Sequence, residues 1–127
     1  MSIVVWFWLS FVLTVAAMGG ALASGLARNR RHHLWLGPVA IVCLAVAIYF
    51  AEQLGAARVF PPDEMRIHLW FAKAGGLLAL PVVVTGLLLL RMPRLRRLHR
   101  YCVYLFVVGV LAATGTGIWV YTLSTPR

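Results

Sequence analysis

Four histidines are the side chains of this sequence best suited to binding chemistry. His32 and His33 follow a run of arginines, and His99 lies inside a second such run. A long apolar stretch follows each run, so His33 (or His32) and His99 are expected at a similar depth near one end of two helices. Two facing neutral imidazoles are what a bis-histidine haem b requires. The alternative is that these histidines are interfacial polar residues at a membrane boundary.

Arginines next to these histidines fit the same hypothesis. Arg31, Arg97 and Arg100 are close in sequence to the candidate ligands. A guanidinium group pairs well with a carboxylate, so we expect these side chains to be partners for haem propionates.

A second candidate site lies around His68. Met65 precedes His68 by three residues, so the two share a helical face. Methionine and histidine together are ligands that suit copper, although two ligands need help from elsewhere to make a site. The pattern predicts a metal site at Met65 and His68, to be completed by other groups.

One intramembrane charge pair is also possible. Lys73 lies well inside an apolar stretch, where a charge is costly, and Glu52 is the only acid of the preceding stretch. We predict either a Glu52–Lys73 pair or, alternatively, a Lys73 that extends to water beside a hydrated Glu52. Together with His68, the pair would form a polar cluster able to bind a quinone headgroup or to pass a proton.

The composition identifies the elements that must position these residues. The chain has 127 residues, of which 62% are hydrophobic and 12% charged. A soluble domain is nearer 45–50% apolar and 25% charged, so the sequence predicts an integral membrane protein. Four apolar stretches, at about 3–26, 34–54, 67–90 and 101–123, are each long enough to cross a bilayer as a helix. The predicted fold is an all-α, four-helix transmembrane bundle of antiparallel up-down helices in a single domain.

The distribution of charge predicts the orientation and the surroundings. Eight of the twelve basic residues lie in two short arginine runs between apolar stretches, which is typical of cytoplasmic loops. We therefore expect both termini outside, in a multi-pass protein of the bacterial cytoplasmic (inner) membrane. The arginine runs would attract anionic lipids, and nothing in the pattern favours nucleic acid. No positive charge precedes Arg28, so the first stretch is expected to be an uncleaved anchor.

Two features bear on partners and on catalysis. Small residues recur at spacings of four in the first and fourth stretches, at Ala16, Gly20 and Ser24 and at Gly109, Ala113 and Gly117. Such stripes either pack the helices of one bundle or form an interface with a larger membrane complex or a second copy. Common nucleotide, zinc and hydrolase motifs are absent, which favours a non-enzymatic role. Cys43 and Cys102 are expected to be free buried thiols.

Several short motifs resemble a known family. They are His33-Leu34, Ile67-His68-Leu69, Leu80-Pro81-Val82-Val83, Arg96-Arg97-Leu98-His99-Arg100 and Thr116-Gly117-Ile118-Trp119-Val120-Tyr121. In this order they resemble a family of small four-helix bacterial membrane proteins, some of which are linked to maturation of haem–copper cytochrome oxidase. The resemblance implies an accessory or assembly role in the respiratory chain, with His33, His68 and His99 at the matching positions. The paired inner histidines are also similar to those of four-helix b-type cytochromes, which implies electron transfer.

Overall fold

Four long helices make up most of the described part of the chain. The computed structural model describes residues 2–127. The helices are α1 (Ile3–Leu26), α2 (Arg30–Ala56), α3 (Pro62–Leu89) and α4 (Arg96–Leu123), with a 3-10 turn at Pro93–Leu95 and two-residue strands β1 (Arg58–Val59) and β2 (Thr125–Pro126). Each helix is long and apolar enough to cross a membrane. The predicted all-α class with four membrane-spanning helices is confirmed.

Three of the helices begin earlier than the apolar stretches that predicted them. The α2 helix begins at Arg30, where the side chain of Asn29 accepts a hydrogen bond from the His32 amide. The α3 helix has Pro62 in its first turn, a position that suits proline because the first helical amides have no partner within the helix. An apolar window marks the lipid-facing part of a helix and misses such polar first turns. As a result, His33 and His99 lie inside helices and not in loops, and His68 is the seventh residue of α3 and not at its start.

The helices fold as two compact hairpins, each described here by itself. One hairpin contains α1 and α2 and includes Arg127, and the other contains α3 and α4. In the first, Trp6 stacks on Phe50 near one end, and Gly25 approaches His33 near the other. Early residues of α1 therefore meet late residues of α2, which makes the pair antiparallel.

The interior of each hairpin contains small or hydroxyl-bearing residues together with larger ones. Its buried residues are Ser10, Thr14 and Ser24 in α1, Ala40, Ala47 and Leu54 in α2, Gly75 and Thr85 in α3, and Phe106 and Val120 in α4. The buried positions of α2 are seven apart, as are packing positions in left-handed helix pairs. The buried hydroxyls donate to carbonyls of their own helices, so no buried side-chain nitrogen or oxygen of residues 2–127 lacks a hydrogen-bond partner.

The outer faces are strongly apolar. Trp35 and Trp70 are each 74% exposed, and many Leu and Val side chains of all four helices are similarly open. Soluble proteins do not expose apolar surface on this scale, whereas lipid tails cover it. These faces agree with a multi-pass membrane protein.

Candidate functional site: three histidines held across helix pairs

His99 is held by a threonine on the neighbouring helix. Its Nδ1 atom lies 2.9 Å from Oγ1 of Thr85 in α3. The Thr85 hydroxyl donates to the carbonyl of Pro81 at 2.6 Å, so its oxygen is left to accept from Nδ1–H of His99. The ring lies against Gly86, where an added Cβ would be 3.3 Å from Cε1 of His99. A side chain larger than hydrogen at position 86 would press on the imidazole.

His68 is held in the same way at the other end of this hairpin. Its Nδ1 atom lies 3.1 Å from Oγ1 of Thr116 in α4. Thr116 donates its own hydroxyl hydrogen to the Ala112 carbonyl at 2.8 Å, which again makes the histidine the donor. An added Cβ at Gly117 would be 3.0 Å from Cε1 of His68.

These two contacts are reciprocal and reflect a repeated pattern. Both α3 and α4 carry a histidine, sixteen intervening residues and then a Thr-Gly pair. Because the helices are antiparallel, each histidine reaches the Thr-Gly pair of the other helix. Between them Gly75 and Gly109 let the backbones approach, since an added Cβ at Gly75 would lie 3.3 Å from the Gly109 carbonyl oxygen.

His33 repeats the arrangement in the first hairpin. Its Nδ1–H donates to the Ala21 carbonyl at 2.8 Å, and the Ser24 hydroxyl donates to the same oxygen at 2.9 Å. An added Cβ at Gly25 would lie 3.2 Å from Cε1 of His33. The Ser24-Gly25 pair thus corresponds to the Thr85-Gly86 pair.

The two hairpins match at this end and differ at the other. His33 and His99 are each the fourth residue of their helix, and two arginines begin the helix in both cases. At the opposite end, the described residues of the first hairpin include no counterpart of His68 and Thr116. It has instead the Trp6–Phe50 stack, with ring centroids 5.9 Å apart and an interplanar angle of 8°.

The shared geometry fixes the chemistry of the three rings. When Nδ1 carries the proton of a neutral imidazole, the lone pair available to a metal or a proton donor is on Nε2. Histidines that bind metals commonly donate their other N–H to a carbonyl or similar acceptor, which orients the ring. All three histidines are half-buried within apolar helices, where polar side chains are costly.

The remaining candidate residues are placed as follows. His32 is exposed, and Met65 is half-buried one turn before His68. Glu52 is in the first hairpin and Lys73 in the second, and both are exposed. Within residues 2–127 no three His, Cys, Asp or Glu side chains could hold a metal ion by themselves. The pairing of His33 with His99, of Met65 with His68, and of Glu52 with Lys73 stays a prediction.

The candidate arginines at the start of α4 are exposed, whereas the two cysteines are half-buried. Arg97 and Arg100 line an open cleft with Arg94 and Arg96 at the start of α4. Cys43 and Cys102 are free and half-buried, so their burial is less complete than expected.

Reasoning from the sequence misses the hydroxyl and glycine partners of the histidines. In the sequence, Thr116 and Gly117 stand out only as part of a motif, and Gly117 as part of a small-residue stripe. The signal that identifies them is the repeated spacing from His68 to Thr85-Gly86 and from His99 to Thr116-Gly117. In antiparallel helices, a repeat of this kind places each histidine beside the other helix's pair.

Comparisons with family models, curated proteins and solved structures find no match for this chain. The fold and the composition define the class, a multi-pass membrane protein of four long apolar helices. Three histidines of this chain are anchored through Nδ1 to the neighbouring helix of their hairpin.

Proposed function

We propose that this chain is an integral membrane accessory or assembly subunit of a respiratory or redox complex in the bacterial cytoplasmic membrane. The observation that carries the proposal is that His33, His68 and His99 each donate Nδ1–H across a helix pair. Three polar rings oriented alike inside apolar helices indicate a shared role as ligands or proton acceptors through Nε2. The family resemblance of the motifs around these histidines suggests the respiratory chain.

Open glycine positions support a partner protein. An added Cβ at Gly19, Gly37, Gly76 or Gly115 would meet nothing within 4 Å. Membrane helices associate closely at such positions because little side chain separates the backbones. The short loops leave no soluble domain of a size to act alone, so the chain is proposed to work within a larger membrane assembly.

The test is a deletion strain in a bacterium that carries this chain and a haem–copper oxidase. Membranes of the deletion strain are expected to lose oxidase activity and oxidase haem absorbance, both restored by the native chain. The triple variant His33→Ala, His68→Ala and His99→Ala should not restore them. His32→Ala, which changes an exposed histidine in the same helix as His33, should restore both. Unchanged oxidase absorbance in the deletion strain would contradict the proposal.

A second candidate function is that of a small b-type cytochrome. It is favoured by the equivalent positions of His33 and His99, each fourth in its helix behind two arginines. In this function the two Nε2 atoms would bind haem iron, and Arg97 and Arg100 would pair with the propionates. The bound haem would supply one-electron redox chemistry.

An absorption spectrum separates the two candidates. Detergent-purified protein is measured oxidised and then reduced with dithionite. A sharp α-band at about one haem per chain is expected of a bis-histidine cytochrome, and both His99→Ala and His33→Ala should abolish it while His32→Ala retains it. Colourless protein would exclude the second candidate and leave the first. Retention of haem in His99→Ala would overturn this ligand assignment.

The orientation belongs to the same proposal. The arginine runs before α2 and α4 are proposed to face the cytoplasm, which puts both termini outside. A periplasm-active phosphatase fused after Arg127 should then be active, and the same enzyme inserted after Arg94 inactive. The reverse pattern would contradict the orientation and leave the histidine assignments untouched.

A further inference from the structure

Four arginines around the start of α4 form one basic surface. Arg94, Arg96, Arg97 and Arg100 line an open cleft of about 470 Å³. All four are exposed, and none of them has a side-chain hydrogen bond or ion pair within residues 2–127. Among residues 2–127, the side chains that do form an ion pair are Arg66 and Asp63, in the first turns of α3.

The cleft has a strong excess of positive charge. Four guanidinium groups repel one another, and the first turn of α4 adds the positive end of a helix dipole. That turn contains no acid, and Leu95 before it offers no capping side chain. An anion from outside the chain would relieve the repulsion and accept from these donors.

The face below the cleft indicates what kind of anion fits. Going along α4 from Arg97, the side chains one, two and three turns further on are Tyr101, Leu105 and Val108. They are 60%, 60% and 64% exposed and continue the same face of the helix. A headgroup in the cleft would therefore have apolar surface beneath it for acyl chains. A free phosphate would make no use of that surface.

We propose that this cleft binds the headgroup of an anionic phospholipid that carries two phosphodiester groups. A guanidinium group matches phosphate oxygens with two parallel N–H donors. A phosphodiester has two unesterified oxygens, which two arginines are enough to occupy. Four arginines in one cleft thus fit two phosphodiesters. They lie at the edge of an apolar span, which is where lipid headgroups are found.

The first hairpin provides a matched control. Arg30 and Arg31 begin α2 as Arg96 and Arg97 begin α4, but Asn29 caps α2. The double variant R28Q/R30Q removes the same charge as R94Q/R96Q, because Arg28 and Arg30 precede His33 by five and three residues, as Arg94 and Arg96 precede His99. Arg31, Arg97 and Arg100 are left intact, so the haem hypothesis is not disturbed.

The experiment measures lipid binding to the purified full chain in a neutral detergent. Native mass spectrometry follows titrations with diphosphatidylglycerol, which has two phosphodiesters, with phosphatidylglycerol, which has one, and with inorganic phosphate. The native protein is expected to retain one diphosphatidylglycerol, more tightly than phosphatidylglycerol at equal total charge. R94Q/R96Q should lose about 30-fold in affinity, since each arginine near an anionic surface contributes roughly five-fold. R28Q/R30Q should change affinity by less than about three-fold, because these two arginines do not line the cleft.

The conservative variant R94K/R96K tests the geometry. It keeps the charge and removes the paired donors, so an affinity between those of the native protein and R94Q/R96Q is expected. If R94Q/R96Q fails to fold, as judged by circular dichroism and elution volume, the lysine variant takes its place in the lipid titration. Equal losses in the two glutamine variants would overturn the proposal, as would competition by inorganic phosphate at concentrations equal to the lipid. Equal affinity for the two lipids would overturn the assignment of two phosphodiesters.

Discussion

The Nδ1 atom of His68 lies 3.1 Å from Oγ1 of Thr116, and this contact links α3 to α4 through a hydroxyl whose hydrogen is already committed. Thr116 donates to the Ala112 carbonyl one turn earlier in its own helix. The threonine is therefore an acceptor towards the histidine, and the ring must donate. The same logic applies to His99 and Thr85, so the repeated sequence pattern determines both the register of the hairpin and the tautomer of two histidines.

Replacing Thr116 with valine should destabilise the second hairpin. Thr116→Val keeps the branched shape but removes the hydroxyl that accepts from Nδ1–H of His68 in a half-buried position. The expected loss is about 1 kcal/mol, the usual size for an interhelical hydrogen bond of this kind. The free energy of unfolding in a denaturing detergent measures it.

Thr122→Val is the control for this substitution. Thr122 is exposed, and its hydroxyl donates only within α4, to the Trp119 carbonyl at 2.6 Å. Its replacement should change the free energy of unfolding by less than about 0.5 kcal/mol. Equal effects of the two variants would show that the His68 contact contributes nothing.

The histidine tautomers give a second prediction. In their neutral forms His33, His68 and His99 should carry the proton on Nδ1, because each faces a carbonyl or a committed hydroxyl. Nitrogen chemical shifts of isotopically labelled histidine distinguish the two tautomers. In Thr116→Val, His68 should shift towards the Nε2–H form that isolated histidine prefers, while His33 keeps its tautomer. An Nε2–H signal for His68 in the native protein would contradict the hydrogen bond described here.

Two adjacent glycines of α3 should respond to alanine in opposite directions. An added Cβ at Gly75 would lie 3.3 Å from both the carbonyl carbon and the oxygen of Gly109. Backbone atoms cannot move aside as a side chain does, so Gly75→Ala should cost roughly 1–3 kcal/mol of unfolding free energy. At Gly76 nothing lies within 4 Å, and Gly76→Ala should be neutral or stabilise by up to about 1 kcal/mol through helix propensity. Thermal unfolding of the two variants checks the difference, and equal losses would show that Gly75 is not a helix contact.

The sequence was sufficient to predict the spans and part of the packing. The first helix ends at Leu26 as expected from its apolar run, and Gly20, Gly25, Gly109 and Gly117 each pack against the partner helix of their hairpin. Small residues at spacings of four carry that information because they lie on one helical face. The packing interpretation of the two stripes is confirmed for Gly20, Gly109 and Gly117.

The starts of α2 to α4 and the histidine partners could not be found by the same reasoning. Hydropathy ignores polar first turns such as Arg30 to His33, although these residues are helical. The contact between His68 and Thr116 joins residues that are distant in sequence, so it depends on the register of two helices. Only a comparison of α3 with α4, which exposes the repeated histidine and Thr-Gly spacing, would have predicted that register.

The aromatic stack of the first hairpin gives the last prediction. Trp6 and Phe50 lie at the end of the first hairpin away from His33, as His68 and Thr116 lie at the end of the second hairpin away from His99, and their rings are nearly parallel. A stack should do there what the hydrogen bond does in the other hairpin, namely hold the helix ends together. A double-mutant cycle with Trp6→Leu and Phe50→Leu should give a coupling energy of about 0.5–1.5 kcal/mol in the free energy of unfolding. The same cycle with Trp6→Leu and Tyr49→Leu is the control, because Tyr49 is 56% exposed and packs on Phe50 of its own helix. If the coupling of Trp6 to Tyr49 equalled that of Trp6 to Phe50, the stack would not be the element that joins α1 to α2 at this end.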